Sequence, residues 1–276
     1  MQPIIPYFEP IQISLGPLTL HGFGILVAIA FLVGSQVAEN RVERIGLDPD
    51  FIRRLIGWLV VGTLFGGHLG YAVFYDTERV YLSEPIRLLY VWEGLSSFGG
   101  FFTCILLIVW FFRKEKQPFY PFGDSLSYGF SAGFIFGRLG CFAAHDHPGP
   151  ESDFWLAVPG MCPGGDPSQA CHDMGLYEAI FVFCIYMFFR IMDRKPRFPG
   201  FYIAWLGMLY GIVRFNMEKF RVHQSHDPLY AGLTPAQYGS IIVFLAGLAL
   251  FLKQRNEPPF VPPVSDGDTE GEAVKA

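Results

Sequence analysis

Charge is the first thing this chain lacks. Asp, Glu, Lys and Arg make up 16% of its residues, while 51% are hydrophobic and the mean hydropathy is +0.34. A soluble domain carries roughly 25% charged residues. The shortage argues against a soluble globular fold and against a basic surface for nucleic acid. The net charge of -5 adds little, because the acids concentrate in loops and in the tail. The stretch from Met1 to Gly16 has no basic region ahead of an apolar one, so no cleavable signal peptide is expected. No internal repeat is found, and the cysteines show neither CxxC nor Cys/His metal spacing. No metal or organic cofactor is expected. Three histidines, His145, His147 and His172, stand near Asp146 and Asp173, but their spacing is loose for zinc.

What is present in quantity is long apolar sequence. Seven segments, at about 18–38, 53–75, 94–112, 122–143, 174–190, 199–217 and 235–252, approach the length needed to span a bilayer. The expectation is an all-α polytopic membrane protein of about seven helices. Its membrane domain would cover residues 1–256, with an outer loop at about 144–173. Residues 257–276, rich in Pro, Asp, Glu and Gly, would form a disordered cytoplasmic tail.

Basic residues orient the segments. They gather at Arg41, Arg44, Arg53 and Arg54, at Arg113, Lys114 and Lys116, at Arg190, Arg194, Lys195 and Arg197, and at Lys253 and Arg255. These are alternate loops plus the C-terminal end, so the N-terminus is expected outside and the C-terminus inside. With that orientation His21, His68, Arg138, Tyr177, Glu178, Arg214 and Glu218 all fall toward the outer face. Polar groups confined to one leaflet suit surface chemistry better than a transport path. Cys162 and Cys171 share the outer loop and could be bridged or free.

An arginine inside the membrane is expensive unless paired or solvated, which makes Arg138 a functional candidate. Its partner could be Glu178, at similar depth. Asp124 lies about 20 Å away along the helix and is a poor partner. Arg214, Glu218 and Arg221 are spaced i, i+4, i+7 and share a helical face. They read either as an interfacial ion-pair ladder or as a clamp for an anion such as a phosphate, which Arg recognises with two parallel hydrogen bonds. Gly137 and Gly140, beside Arg138, would let a backbone or a lipid head group approach closely. His145 or His147, beside Asp146, could serve as an oriented general base. The run from Trp155 to Gly160 reads as a loop strand or lid.

Taken together, Gly137-Arg138-Leu139-Gly140-Cys141-Phe142, Gly70-Tyr71-Ala72-Val73-Phe74-Tyr75, the stretch from Trp92 to Gly100, Leu176-Tyr177-Glu178, the Arg214/Glu218/Arg221 pattern and the run from Gly232 to Gln237 resemble the bacterial phosphatidylglycerol–prolipoprotein diacylglyceryl transferases. The resemblance covers about residues 18–252. It implies an N-out, seven-helix enzyme of the bacterial inner membrane. Such an enzyme moves a diacylglyceryl group from phosphatidylglycerol to the lipobox cysteine of a prolipoprotein, forms a thioether and releases glycerol 1-phosphate. The partners implied are phosphatidylglycerol, the prolipoprotein signal peptide and the bilayer. Arg138 and Arg214 would hold the phosphate, with Glu218 and Arg221 in support and with Tyr177, Glu178, Gly99, Gly100 and His21 lining the substrate site.

Four positions depart from the family pattern. Phe98 stands where members often carry a His regarded as a candidate base. Phe23 replaces a Tyr, and His68 replaces an Arg. The usual Asn-Gly turn after the core motif is Ala143-Ala144-His145-Asp146-His147-Pro148. Cys141 occupies a position where Asn or Cys is tolerated. His68, His145 and His147 are therefore the candidates to replace the missing base. The rival readings are an altered paralogue that binds lipid or signal peptide without transfer, and a small transporter.

Overall fold

The structure is a computed structural model that describes residues 3–15, 18–74, 76, 80–90, 94–164, 166–220 and 229–261, without the side chains at 15, 18, 82, 97 and 98. Arg221, the side chain of Phe98, Tyr75, Trp92, Glu93 and the tail after residue 261 lie outside the described residues.

The fold is mostly helical. In order, the chain forms a hairpin of β1 (Gln12–Leu15) and β2 (Leu18–His21), then helices α1 (Gly22–Arg44), α2 (Pro49–Phe74), the short α3 (Val80–Ser83), α4 (Ser97–Glu115) and α5 (Phe119–Ala144). A small sheet of β3 (Pro148–Glu151), β4 (Val158–Pro159) and β5 (Ala170–Asp173) follows, then α6 (Met174–Met192), α7 (Phe201–Glu218) and α8 (Pro235–Gln254). Each of the seven apolar segments becomes a long helix. Four of these, α1, α2, α6 and α8, are long and apolar enough to cross a membrane. Large apolar side chains such as Leu32, Phe65, Ile105 and Ile242 stay exposed on the helix surfaces, as expected of lipid-facing positions.

Two segment ends shift for physical reasons. Residues 18–21 pair with β1, so α1 begins at Gly22 rather than at 18. It then runs past the apolar stretch to Arg44, because Arg41 turns inward and is paired.

Contacts divide the chain into two compact units, residues 1–47 with 123–276, and residues 48–122. In the first unit α1 and α5 meet along a seam of small residues. A Cβ on Gly129 would sit 2.4 Å from the Gly34 carbonyl oxygen, and one on Gly133 would sit 2.3 Å from that of Ala30. Such repeats let helix backbones approach where lipid supplies no hydrophobic drive. Tyr128, Ile185, Phe189, Phe201 and Tyr202 form a hydrophobic core among α5, α6 and α7. The sheet pairs β5 between β3 and β4, both antiparallel. Cys162 and Cys171 are bridged there, packed with Val158 and Met161. The stretch expected as a loop strand or lid supplies β4 and the fully buried Ala157 and Val158.

In the second unit α2 packs on α4 through the same device. A Cβ on Gly99 would lie 2.2 Å from the Gly66 carbonyl oxygen, and one on Gly70 would lie 2.6 Å from the Gly99 Cα. Phe51, Phe111, Phe112 and Phe122 pack beside it in tilted and edge-on pairs.

Candidate active site

Arg138 sits on the next-to-last turn of α5, Glu178 on the second turn of α6, and Tyr210 and Arg214 on α7. The three helices bring them together. Arg138 Nη2 lies 3.1 Å from Glu178 Oε1 and donates to the Tyr210 hydroxyl at 3.3 Å. That hydroxyl in turn donates to Glu178 Oε1 at 2.5 Å. Arg214 Nη1 lies 3.9 Å from the other Glu178 oxygen, and Arg214 Nη2 lies 3.0 Å from Glu218 Oε2. Glu178 is 1% exposed, so its charge would be untenable without the two guanidiniums beside it. Glu218 also accepts from the Thr234 hydroxyl, and Thr234 closes a reciprocal cap with Gln237 at the start of α8. The Gly232-to-Gln237 motif thus holds the start of α8 against the Arg214 stripe.

Arg138 is not fully satisfied by this network. Arg138 Nε is buried and meets no acceptor among the described residues. Its guanidinium carbon stands 4.8 Å over the Phe134 ring, and Nη1 donates to Cys141 Sγ at 3.7 Å. Beside it, a Cβ on Gly137 would meet little except Phe134 at 3.7 Å, so this flank is open. Gly140 is instead closed by α1: a Cβ there would reach Phe23 and Leu26 at 3.3 and 3.4 Å.

The end of α5 decides the fate of the histidines. Asp146 N donates to the Cys141 carbonyl at 3.5 Å and His145 N to that of Phe142 at 3.2 Å, a Schellman-type stop with His145 in the left-handed region at φ 50°. Glycine is the usual residue there, and a side chain carries a strain of about 1 kcal/mol. The ring offsets it. His145 Nδ1 faces Asp173 Oδ2 at 3.3 Å and Nε2 faces the Phe8 carbonyl at 3.1 Å, with Phe8 and Tyr7 packed on the ring. Both nitrogens face acceptors, which leaves neither to take a proton from a substrate. The geometry fits a clasp between the N-terminal segment, the end of α5 and Asp173, which itself caps α6 through Leu176 N.

His147 differs. Its Nδ1 lies 2.8 Å from the Asp146 carbonyl oxygen, where it donates, and a neutral ring then carries its lone pair on Nε2. A ring nitrogen of His147, an Asp146 carboxylate oxygen and Cys141 Sγ all lie within 4.8 Å of one another, next to the Arg138 guanidinium. His172, in β5, bonds the Tyr177 hydroxyl at 2.6 Å, and burial pushes its pKa below the usual histidine value. The three histidines are therefore split among different partners.

The remaining expected site residues are placed as follows. His21 is exposed at the junction of β2 and α1 and makes no capping bond. His68 is buried in the second unit, with Nδ1 3.3 Å from the Gly94 carbonyl and its ring edge-on to Tyr81. Gly99 and Gly100 face α2, where Gly99 is occupied by the close crossing with Gly66 and Gly70. Asp124 is far from Arg138 in role as well as in sequence: its carboxylate accepts from the backbone N–H groups of Gly200, Tyr202 and Ile203. Tyr210 was missed by the sequence reading. The available signal was its spacing, since Tyr210, Arg214 and Glu218 recur every four residues on one face.

Comparison with known proteins adds an independent line. The family described as prolipoprotein diacylglyceryl transferase matches residues 10–253. A phosphatidylglycerol–prolipoprotein diacylglyceryl transferase of Chromohalobacter salexigens is 30% identical over 92% of this chain and 95% of its own length. Proteins of the same name from Bordetella avium and Pseudomonas putida are 34% and 31% identical, over 90% and 94% of this chain and 95% and 98% of their own lengths.

Proposed function

The chain belongs to the prolipoprotein diacylglyceryl transferase family, and from that premise we propose how its own residues carry the transfer. The reaction moves a diacylglyceryl group from phosphatidylglycerol to the lipobox cysteine of a prolipoprotein. The cysteine sulfur attacks the glyceryl carbon that bears the phosphoester oxygen. The S–C bond forms as the C–O bond breaks, and glycerol 1-phosphate leaves with the electron pair.

Charge builds on the departing phosphate, so the site must supply fixed positive donors in a water-poor place. Arg138 and Arg214, held on separate helices on either side of the buried Glu178 carboxylate, are suited to that role. The buried Arg138 Nε, which meets no acceptor among the described residues, is the observation that carries this reading: a structural pair would leave no donor over, whereas a phosphate oxygen would complete it. Gly137 leaves the adjacent flank open for a lipid head group. Glu178, Tyr210 and Glu218 fix the two forks, and Tyr177 and His172 tie the start of α6 to the outer sheet. Arg221 extends the same helical register in sequence.

His147 is the residue we assign to take the thiol proton. It stands with Asp146 beside Cys141, whose sulfur accepts from Arg138, while His145 is committed to its clasp. His68 and His21 remain further candidates, for protonation and for substrate contact respectively. Gly99 and Gly100 would act through the α2–α4 crossing.

For the membrane, we extend the spanning reading to α4, α5 and α7, giving seven spans in the bacterial inner membrane with the N-terminus outside. Basic last turns on α1, α4, α6 and α8 support it. The test is a proteoliposome assay with phosphatidylglycerol and a lipobox prolipoprotein, following the mass gain on the cysteine and the glycerol phosphate released. Transfer by the wild-type chain and its loss in Arg138→Ala are expected. Folded protein that binds lipid but does not transfer would favour the altered paralogue.

A further inference from the structure

The turn that departs from the family pattern also builds a ligand set. The Schellman-type stop folds Asp146 back over the last turn of α5, and His147 follows it. A thiol sulfur, a carboxylate oxygen and an imidazole nitrogen converge to within 4.8 Å of one another. Around a tetrahedral zinc ion the same donors would stand about 3.3–3.8 Å apart, so rotation of exposed side chains by about 1 Å closes the set. Cys141 is buried, whereas the side chains of Asp146 and His147 are 40% and 24% exposed, so an ion can enter from the outer surface. Arg138 Nη1 donates to the sulfur, and its own charge is balanced by Glu178.

We propose that Cys141, Asp146 and His147 form a binding site for a borderline transition-metal ion, Zn²⁺ or Co²⁺, which blocks the active site when filled. Sulfur and nitrogen donors select such ions over Mg²⁺ or Ca²⁺. On binding, three protein donors and one water complete the tetrahedron, and the Cys141 thiol proton passes to solvent. The ion occupies the His147 nitrogen and the sulfur beside Arg138, so it closes the position where the substrate thiol would be deprotonated. The blocking effect rests on the function proposed above, whereas the binding site does not.

The experiment uses the full chain without a polyhistidine tag, in detergent, reduced and treated with chelator. Co²⁺ is titrated while the near-ultraviolet thiolate-to-cobalt absorption is followed, and Zn²⁺ is then added to displace it. The wild-type chain should bind one equivalent with that absorption. Cys141→Ser should lack the band, and Asp146→Asn and His147→Gln should each weaken binding by at least about tenfold. Cys104→Ser/Cys184→Ser, which alters the other two free cysteines, should keep the band. No band in wild-type protein whose Cys141 is shown to be reduced would overturn the proposal, as would a band that survives Cys141→Ser. In the transfer assay Zn²⁺ should suppress wild-type turnover by at least about tenfold. Transfer without cobalt binding would remove the metal site and leave the function standing. Cobalt binding without transfer would do the reverse.

Discussion

The two ends of α5, α6 and α7 each carry a charged cluster, and they are built differently. At one end Asp193 accepts from Arg41 at 3.3 Å, from the Tyr202 hydroxyl at 2.7 Å and from Arg44. Arg41 also donates to Ser125 at 2.8 Å and lies 4.5 Å over the Tyr202 ring, while Asp124 takes three backbone N–H groups at the start of α7. At the other end, about 20 Å along each helix, two arginines share Glu178, Arg138 keeps a buried Nε that meets no acceptor among the described residues, and a glycine leaves the neighbouring surface open. The first cluster spends its donors on the fold. The second holds one donor in reserve, Arg138 Nε, in a place where an unmet hydrogen bond costs about 1–3 kcal/mol. Buried charge alone therefore does not identify a site. The incomplete hydrogen-bond set is what sets the proposed site apart.

The sharpest way to break this comparison is a crossed pair of substitutions. Arg214→Lys should lower transfer by about 10²–10³-fold, the loss expected for one donor to developing charge, and leave thermal unfolding nearly unchanged, because lysine keeps the charge that Glu178 and Glu218 require. Asp193→Asn should do the opposite. It strands Arg41, so unfolding free energy should fall by about 3–5 kcal/mol while turnover per folded molecule stays within about twofold. Similar effects of the two on both readouts would erase the distinction.

Smaller changes sharpen it. Asp124→Ala removes a cap from α7 and should destabilise by about 1–2 kcal/mol in chemical denaturation, with transfer by the folded fraction retained. Tyr210→Phe removes the hydroxyl between Arg138 and Glu178. Transfer should fall about tenfold, roughly the worth of one hydrogen bond, seen in the maximal rate rather than in the apparent lipid affinity. The smallest effect concerns His172. Burial lowers its folded pKa below the unfolded value of about 6.5, so the unfolded state binds more protons. Stability contributed here is present above that value and is lost as pH falls from it through the lower folded pKa. His172→Gln should flatten the pH dependence of melting on the acid side, and an unchanged slope would remove His172 from the account.

Much of this was legible in the sequence because membrane physics is repetitive. Long apolar runs became long helices, and the depth argument that paired Arg138 with Glu178 and set Asp124 aside agrees with the geometry. What was not legible depends on chain reversal and on backbone partners. Nothing in local pattern says that Asp124 caps α7, or that a histidine will take the left-handed position at residue 145 and lose both nitrogens to a clasp. The apolar start at residue 18 hid a hairpin, because a period-two stretch of four residues is indistinguishable from the beginning of a helix. Gly99 and Gly100 drew attention as substrate positions through the motif they sit in, yet their local environment is the α2–α4 crossing.

The most direct test of the central claim is a single-turnover measurement on Arg138→Lys, with thermal unfolding recorded in parallel. Lysine keeps the charge that Glu178 requires but lacks the planar fork. If Arg138 presents a reserved donor to the phosphate, the chemical step should slow by about 100-fold or more while the melting temperature holds. A wild-type rate in a stable Arg138→Lys chain would reduce Arg138 to a structural ion pair and contradict the account.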